Sequence, residues 1–172
     1  PFRGLSLSSR KVICSGKCIL GLTKCFKDLM SKLALSKEAK ISFFGTPSVC
    51  LPFVELLAYA IRDLTNNMLY IPNTSTDMAV KLRYIEGYGF QIGERADPRN
   101  SDVAVLLGGL AMPKSKLTAE DVMRAVTAIL KKEGTIIGVD FMGIFDQNEW
   151  TNKIPFSYIL DCYCESKVES LK

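Results

Sequence analysis

The chain of 172 residues contains no histidine, and this absence excludes several kinds of site. Ser-His-Asp and Cys-His nucleophile pairs cannot form, and neither an imidazole general base nor an imidazole metal ligand is present. Any acid–base chemistry must therefore use Asp, Glu, Lys, Tyr or Cys. The chain has only twelve glycines and seven prolines, and 48% of its residues are hydrophobic. This composition excludes disordered and fibrous chains.

Long apolar runs are also absent from the chain. The apolar-dominated stretches reach about ten residues, which is half the length that a bilayer-spanning helix needs. A secretory signal is not expected either, because Ser15, Gly16 and Lys17 interrupt the apolar run near the start. We therefore expect a cytoplasmic protein with no membrane partner, folded as one domain over residues 1–172.

Positive charge is concentrated in the N-terminal part of the sequence. Residues 1–40 carry a net charge of +7, whereas residues 41–172 carry −3, for a total of +4. We predict that this charge belongs to a basic arm over residues 1–19, which can be flexible and can bind an anionic partner. The simpler interpretation is that the basic residues form the solvent-exposed face of a helix. No aromatic residue lies between Arg3 and Phe26, so nucleic acid is not expected as a partner.

The six cysteines predict reduced thiols, because no secretory signal is expected. Cys14, Cys18 and Cys25 follow a C-x3-C-x6-C spacing, and Cys162 and Cys164 form C-x-C. Neither spacing matches the C-x2-C pairs of zinc sites or the C-x3-C-x2-C of radical iron–sulfur sites. The first three would fall on one face of a helix, which favours packing. We predict no metal site, and the sequence names no cofactor.

Short apolar runs alternate with segments of helical periodicity along the chain. The predicted strands are Ala39–Phe44, Met68–Ile71, Gly89–Gly93, Asp102–Leu107, Thr135–Phe141 and a last one near Tyr158–Cys164. The predicted helices cover residues 20–34, Phe53–Leu64, Thr76–Glu86, Ala119–Lys132 and a short segment around Asn148–Lys153. Thr118 and Asp121 resemble a capping box before the fourth helix, which Gly134 is expected to close. Trp150 is expected to anchor packing.

The strands are continuous apolar runs, which is typical of parallel sheets buried on both faces. Together with the alternation of strands and helices, this predicts a three-layer, doubly wound α/β domain of the Rossmann-like or flavodoxin-like kind. The prediction is about five parallel strands, with a sixth strand at the C-terminus left open. The pattern does not determine the strand order.

In such a sheet, ligands bind at the carboxyl ends of the strands, where the strand order reverses. The loops expected there are Gly45–Phe53, Gly108–Pro113 and Asp140–Asp146. The first loop leads into a helix start that favours an anion, although it matches neither a Walker loop nor a dinucleotide fingerprint. The predicted ligand-binding residues come from the first two loops: Gly45, Thr46, Ser48, Gly108, Gly109 and Met112.

The candidate catalytic residues are Cys50, Glu55 and Asp140. Cys50 precedes a helix start, which lowers a thiol pKa and predicts a nucleophile; the alternative is a small residue packed under the loop. Glu55 is either the nearest general base or a complement to the helix dipole. Asp140 ends an apolar strand, where it could bind a ribose hydroxyl, a metal ion or an amine. Asp146 is a weaker candidate.

Three stretches of the chain carry a resemblance to a known family. They are residues 44–62 (FGTPSVCLPFVELLAYAIR), residues 102–114 (DVAVLLGGLAMPK) and residues 138–142 (GVDFM) with their continuation to Trp150. They resemble an uncharacterised archaeal family, a domain of unknown function found chiefly in methanogens, over about residues 20–165. The resemblance implies the cytoplasm of an anaerobic archaeon and reduced cysteines, and it implies no activity.

These observations lead to one main hypothesis and two alternatives. The main hypothesis is binding of a small anionic ligand, a nucleotide or a phosphorylated cofactor, at the carboxyl edge of the sheet. The first alternative is a thiol enzyme with Cys50 as nucleophile, assisted by Glu55 or Asp140. The second is an interaction protein whose basic N-terminal arm binds RNA or an acidic partner. The sequence leaves enzymatic activity and a homo-oligomer open.

Overall fold

The centre of the structure is one seven-stranded sheet, seen in a computed structural model that describes residues 10–171. The strands are β1 Ile41–Gly45, β2 Met68–Pro72, β3 Val80–Ile85, β4 Gly89–Arg95, β5 Ser101–Leu107, β6 Leu130–Phe141 and β7 Tyr158–Cys162. The α-helices are α1 Cys18–Lys32, α2 Leu51–Ala60, α3 Ala119–Ile129 and α4 Ile144–Gln147.

The strand order is β4-β3-β2-β1-β5-β6-β7. The strands β2, β1, β5, β6 and β7 run parallel to one another, whereas β3 and β4 form an antiparallel extension beside β2. The predicted α/β fold with a mostly parallel sheet is therefore confirmed. Five strands are parallel, and the hairpin β3–β4 raises the total to seven.

Helices cover both faces of the sheet, which explains the continuous apolar strands. Every residue of β1 is buried, including Ser42, whose hydroxyl lies 2.8 Å from that of Ser101. On one face, α1 and α2 pack on the sheet, with Phe26 of α1 against Phe43. On the other face α3 and the segment after β6 form a second core, in which Trp150 stacks on Phe145 as expected of a packing residue.

None of the helices within residues 10–171 combines the length and apolar character that a bilayer crossing requires.

The predicted helix Thr76–Glu86 is wrong. A short 3₁₀ turn, Thr76–Met78, is followed by β3, which pairs with β2 and with β4. Leu82 is buried in the core that α1 and α2 form with the sheet, and Tyr84 packs on Phe90 across the hairpin. The apolar residues of this segment fit a period of two as well as a helical period, and pairing with distant strands decides between them. The expected parallel strand Gly89–Gly93 is the antiparallel edge strand β4.

The predicted helix Ala119–Lys132 ends earlier than expected. The capping box is present, because the Thr118 hydroxyl oxygen accepts a hydrogen bond from the Asp121 N–H and the Thr118 N–H donates to the Asp121 carboxylate. The helix stops at Ile129 because the next residue, Leu130, already pairs with β5 as the first residue of β6. Gly134 therefore lies inside β6 rather than closing the helix.

The end of the chain also differs from the predicted pattern. The short helix expected around Asn148–Lys153 is a single 3₁₀ turn, Trp150–Asn152, and it is preceded by α4, which was not predicted.

The described part of the predicted basic arm is bound to the body. Residues 10–17 form neither helix nor strand, and residues 1–9 lie outside the described residues. Both terminal nitrogens of Arg10 donate to the Asp146 carboxylate at 2.7 Å, and this guanidinium holds the pKa of Asp146 down to about 2. Flexibility of the basic arm stays a prediction.

A disulfide joins Cys14 to Cys25, so the prediction of six reduced thiols is wrong for these two residues. Cys14 precedes α1, so it does not share a helix face with Cys18 and Cys25 as expected; the chain folds back along α1 before the helix begins. Gly16 approaches Gly21 so closely that an added Cβ would lie 2.5 Å from the Gly21 Cα. The described free cysteines are Cys18, Cys50, Cys162 and Cys164.

The capping box provides a test of the start of α3. Replacing Thr118 by Ala leaves the Asp121 N–H without its side-chain acceptor, so we expect the free energy of unfolding to fall by about 1 kcal/mol. Urea denaturation measures this loss. Thr23→Ala is the matched control, because the Thr23 hydroxyl bonds only to carbonyls within α1. Equal losses in the two variants would contradict the capping role.

Candidate functional site

The strand order reverses between β1 and β5, at the point predicted to hold the site. From β1 the chain continues to β2 on one side, and it later returns to β5 on the other side of β1. Phe44 pairs with Leu106, so the two strands end side by side and the loops that follow them meet. We call the loop residues 45–50 and 108–113 at this edge the switch-point site.

The floor of the switch-point site is closed by direct contacts between the two loops. Thr46 Oγ1 donates to the Gly109 carbonyl at 2.9 Å, and Tyr70 Oη donates to the Gly45 carbonyl at 2.9 Å. The Cys50 side chain lies between Gly45 and Gly109, and an added Cβ on either glycine would overlap it. Three of the predicted residues, Gly45, Thr46 and Gly109, therefore form the packing around Cys50.

Cys50 occupies the position before α2, as predicted, but its thiol is only 3% exposed. Burial raises the pKa of this thiol, which outweighs hydrogen bonds from the N–H groups of Thr46 and Gly109 and from the Thr46 hydroxyl. The prediction that the helix start lowers the pKa is therefore wrong. The cost of placing a thiolate out of water exceeds what these donors return.

The exposed rim of the site comes from Ser48 and Met112. Ser48 adopts a left-handed backbone conformation with φ of 65° and lies in solvent with its neighbours Pro47 and Val49. Its hydroxyl has no hydrogen-bond partner among residues 10–171. Met112 is also exposed, on the loop that follows β5. The rim thus combines the hydrogen-bonding hydroxyl of Ser48 with the flexible thioether side chain of Met112.

Asp140 is 2% exposed, and backbone N–H groups engage its carboxylate. Oδ1 accepts from the N–H of Phe141 at 2.8 Å, and Oδ2 accepts from that of Phe145 at 3.0 Å. Burial nevertheless raises the pKa of Asp140. Gly108 lies directly against it, since an added Cβ would be 2.9 Å from Asp140 Oδ1. The carboxylate holds the turn that leads into α4.

Glu55 is not joined to the other candidate catalytic residues. It is half-buried on α2, and burial alone raises the pKa of its carboxyl group. Within residues 10–171 it forms no hydrogen bond or ion pair with Cys50 or with Asp140. The structure thus brings Cys50 to Gly45, Thr46 and Gly109, and Asp140 to Gly108, as two separate contacts.

A cavity of about 590 Å³ lies at the opposite, amino-terminal edge of the sheet, where sequence reasoning predicted nothing. Its lining combines polar groups and charges of both signs: Lys37, Glu38, Arg62, Asp63, Thr65, Asn66, Asn67 and Lys81. The polar run Thr65–Asn67 before β2 was the available signal. Such a polar run is typical of any turn between a helix and a strand, so the sequence alone does not mark it as part of a cavity.

Residues 17–165 match the family described as an uncharacterized protein conserved in archaea (DUF2124). The chain belongs to this family. The expected archaeal family is thereby confirmed.

Relatives of the chain come from methanogens. An uncharacterized protein of Methanothermobacter thermautotrophicus is 38% identical over 143 residues, covering 80% of this chain and 91% of the relative. An uncharacterized protein of Methanocaldococcus jannaschii is 32% identical over 148 residues, covering 86% and 89%. A crystal structure of a protein of unknown function from M. thermautotrophicus superposes with a TM-score of 0.83 at 32% identity, covering 95% of this chain and 99% of that one.

These relatives support the fold of this member of the archaeal family. They carry no activity over to this chain.

The packing around Cys50 can be tested by a double-mutant cycle. Gly109→Ala adds a Cβ that overlaps the Cys50 sulfur, so we expect a loss of about 1–3 kcal/mol in unfolding free energy. In the presence of Cys50→Ala the same change should cost much less, because the overlapping atom is gone. Urea denaturation of the four proteins gives the coupling. Strictly additive losses would contradict the contact.

The thiols are expected to differ in reactivity. Near neutral pH, iodoacetamide should alkylate Cys50 at least about tenfold more slowly than the exposed Cys18, because burial limits access and raises the Cys50 pKa. Peptide mass spectrometry after short exposure measures the rates. In urea, where both thiols are in solvent, the difference should disappear. Preferential alkylation of Cys50 in the folded protein would contradict this assignment.

Proposed function

We propose that this protein binds a small anionic ligand, a nucleotide or a phosphorylated cofactor, on the switch-point site at the carboxyl edge of the sheet. The observation that carries the proposal is the strand order. β1 and β5 are neighbours although the chain visits β2, β3 and β4 between them, and ligands of open α/β sheets bind above such a reversal.

The rim of the site offers donors suited to an anion. The Ser48 hydroxyl is exposed and has no hydrogen-bond partner among the described residues. The start of α2 adds the positive end of a helix dipole immediately beside it. Lys114, exposed on the loop after β5, supplies a full positive charge from the other side. These three groups favour an anion at the rim of the site.

The closed floor restricts how a ligand can lie. Thr46 already donates to Gly109, and Cys50 fills the space between the two loops. A ligand therefore rests on the exposed rim above these contacts rather than entering between β1 and β5. Met112 then offers an apolar surface to the uncharged part of the ligand.

No observation favours the two alternatives over this proposal. Burial and a raised pKa disfavour Cys50 as a nucleophile. Arg10, the first described residue of the basic arm, is already paired with Asp146. Cytoplasmic location stays a prediction.

Thermal shift with AMP, ADP, ATP, NAD and inorganic phosphate at millimolar concentration tests the proposal. A ligand at about 100 times its dissociation constant should add about 2.7 kcal/mol to the unfolding free energy. Lys114→Ala should then weaken binding about fivefold, which corresponds to an ion pair worth about 1 kcal/mol. Lys132→Ala removes the same charge from an exposed position in β6 near the amino-terminal edge, and it should change nothing.

Two results would overturn the proposal. The first is no stabilisation by any of these probes. The second is binding that is lost in Arg62→Ala but unaffected by Lys114→Ala, because Arg62 lines the cavity at the amino-terminal edge. In that case the ligand site would lie at the opposite edge of the sheet from the switch-point site.

A further inference from the structure

Two of the free cysteines bring their sulfur atoms together at the end of β7. Cys162 is the last residue of the strand, and its Sγ lies 3.5 Å from the Sγ of Cys164. The same Cys162 Sγ lies 3.7 Å from the carbonyl oxygen of Cys18, at the start of α1. We call Cys162 and Cys164 the C-terminal thiol pair. It lies apart from the packing around Cys50.

The two thiols of the pair differ in access to solvent. Cys162 is 5% exposed, whereas Cys164 is in solvent. Residues 163–171 form neither helix nor strand, so Cys164 belongs to a segment that no sheet pairing restrains. The two sulfur atoms of a disulfide lie about 2.05 Å apart. The Sγ–Sγ distance of the pair is 3.5 Å, so it has to shorten by about 1.5 Å for a disulfide to form.

The described residues contain no group of three or more His, Cys, Asp or Glu side chains that could hold a metal ion. The arrangement of one exposed and one buried thiol in contact instead fits an attacking and a resolving sulfur. We propose that the C-terminal thiol pair is a redox-active dithiol that reduces low-molecular-weight disulfides, with Cys164 attacking and Cys162 resolving.

The reaction exchanges two electrons and needs no further reactant. The Cys164 thiolate attacks one sulfur of the disulfide, forms a mixed disulfide and releases the first thiolate. Cys162 then passes its proton to solvent or to that thiolate and attacks Cys164 Sγ, which releases the second thiolate. The products are a Cys162–Cys164 disulfide and two small thiols, while the added disulfide has been reduced.

The surroundings of Cys162 support this order of events. Burial, followed by the hydrogen bond to Cys164, raises the pKa of Cys162 above its usual range. Cys162 therefore keeps its proton while Cys164 makes the first attack. The negative charge of Cys164 adds to the shift, and nearby Cys18 and Asp161 contribute in the same direction. Once the Cys164 sulfur is in the mixed disulfide, its charge is gone and Cys162 loses its proton more readily.

The test uses the full chain treated with the aromatic disulfide dithiobis(nitrobenzoate) or with glutathione disulfide. Peptide mapping by mass spectrometry identifies which cysteines carry an adduct and which are joined. We expect a Cys162–Cys164 disulfide with no lasting adduct on either residue. Once the one nitrothiobenzoate released by each adduct on the exposed Cys18 is subtracted, the remainder should amount to two molecules for each Cys162–Cys164 bond.

Three variants separate the roles of the cysteines. Cys162→Ser should trap a stable mixed disulfide on Cys164, because the resolving thiol is missing. Cys164→Ser should leave Cys162 unmodified for at least about tenfold longer, because Cys162 is buried. Cys18→Ser is the matched control: it removes an exposed thiol from the same corner and should not lower the yield of the Cys162–Cys164 bond. Circular dichroism verifies that each variant is folded.

The proposal is overturned if the wild-type chain keeps an adduct on Cys164 beside a reduced Cys162. It is also overturned if the new bond joins Cys18 to either residue, or if Cys18→Ser abolishes the reaction. The mapping must also show Cys14–Cys25 intact, since opening of that disulfide would assign the released thiols to a different pair.

Discussion

The side chain of Cys50 lies between Gly45 and Gly109, and the geometry of the carboxyl edge depends on this contact. The Cys50 side chain packs the loop after β1 against the loop after β5. The hydrogen bond from the Thr46 hydroxyl to the Gly109 carbonyl joins the same two loops. Because the floor is closed, the groups left for a ligand are on the rim. The residue that the sequence singled out for reactivity thus determines the shape of the site through its volume.

Sequence patterns predicted the parallel part of the fold because its strands are buried on both faces. β1 and β5 are continuous apolar runs, and they lie at the centre of the sheet. The hairpin β3–β4 escaped prediction because it lies at the edge, where one-sided burial leaves a pattern that fits helix or strand. The strand order depends on contacts between distant residues, which local periodicity does not contain.

The two loops predicted to carry the site lie side by side at the carboxyl edge of the sheet, but the ionisation expected of Cys50 is not found there. The loops after β1 and β5 meet at the switch point, as the general rule for open sheets implies. Cys50 and Asp140 were chosen because their positions along the chain suit reactive groups. Both are buried, and burial raises both pKa values. Burial depends on the packing of the neighbouring loops, and no spacing along the chain reveals it.

The cysteines also show that burial, rather than position along the chain, determines which thiol can react. Cys50 has the position that favours a thiolate, yet it is enclosed by the two loops. Cys164 has no helix start beside it, but it is in solvent and touches a second thiol. Nucleophilic attack requires access as well as ionisation, and the structure provides access only at the second position of the two. The reactive chemistry of this chain is therefore to be sought at the end of β7 rather than at the start of α2.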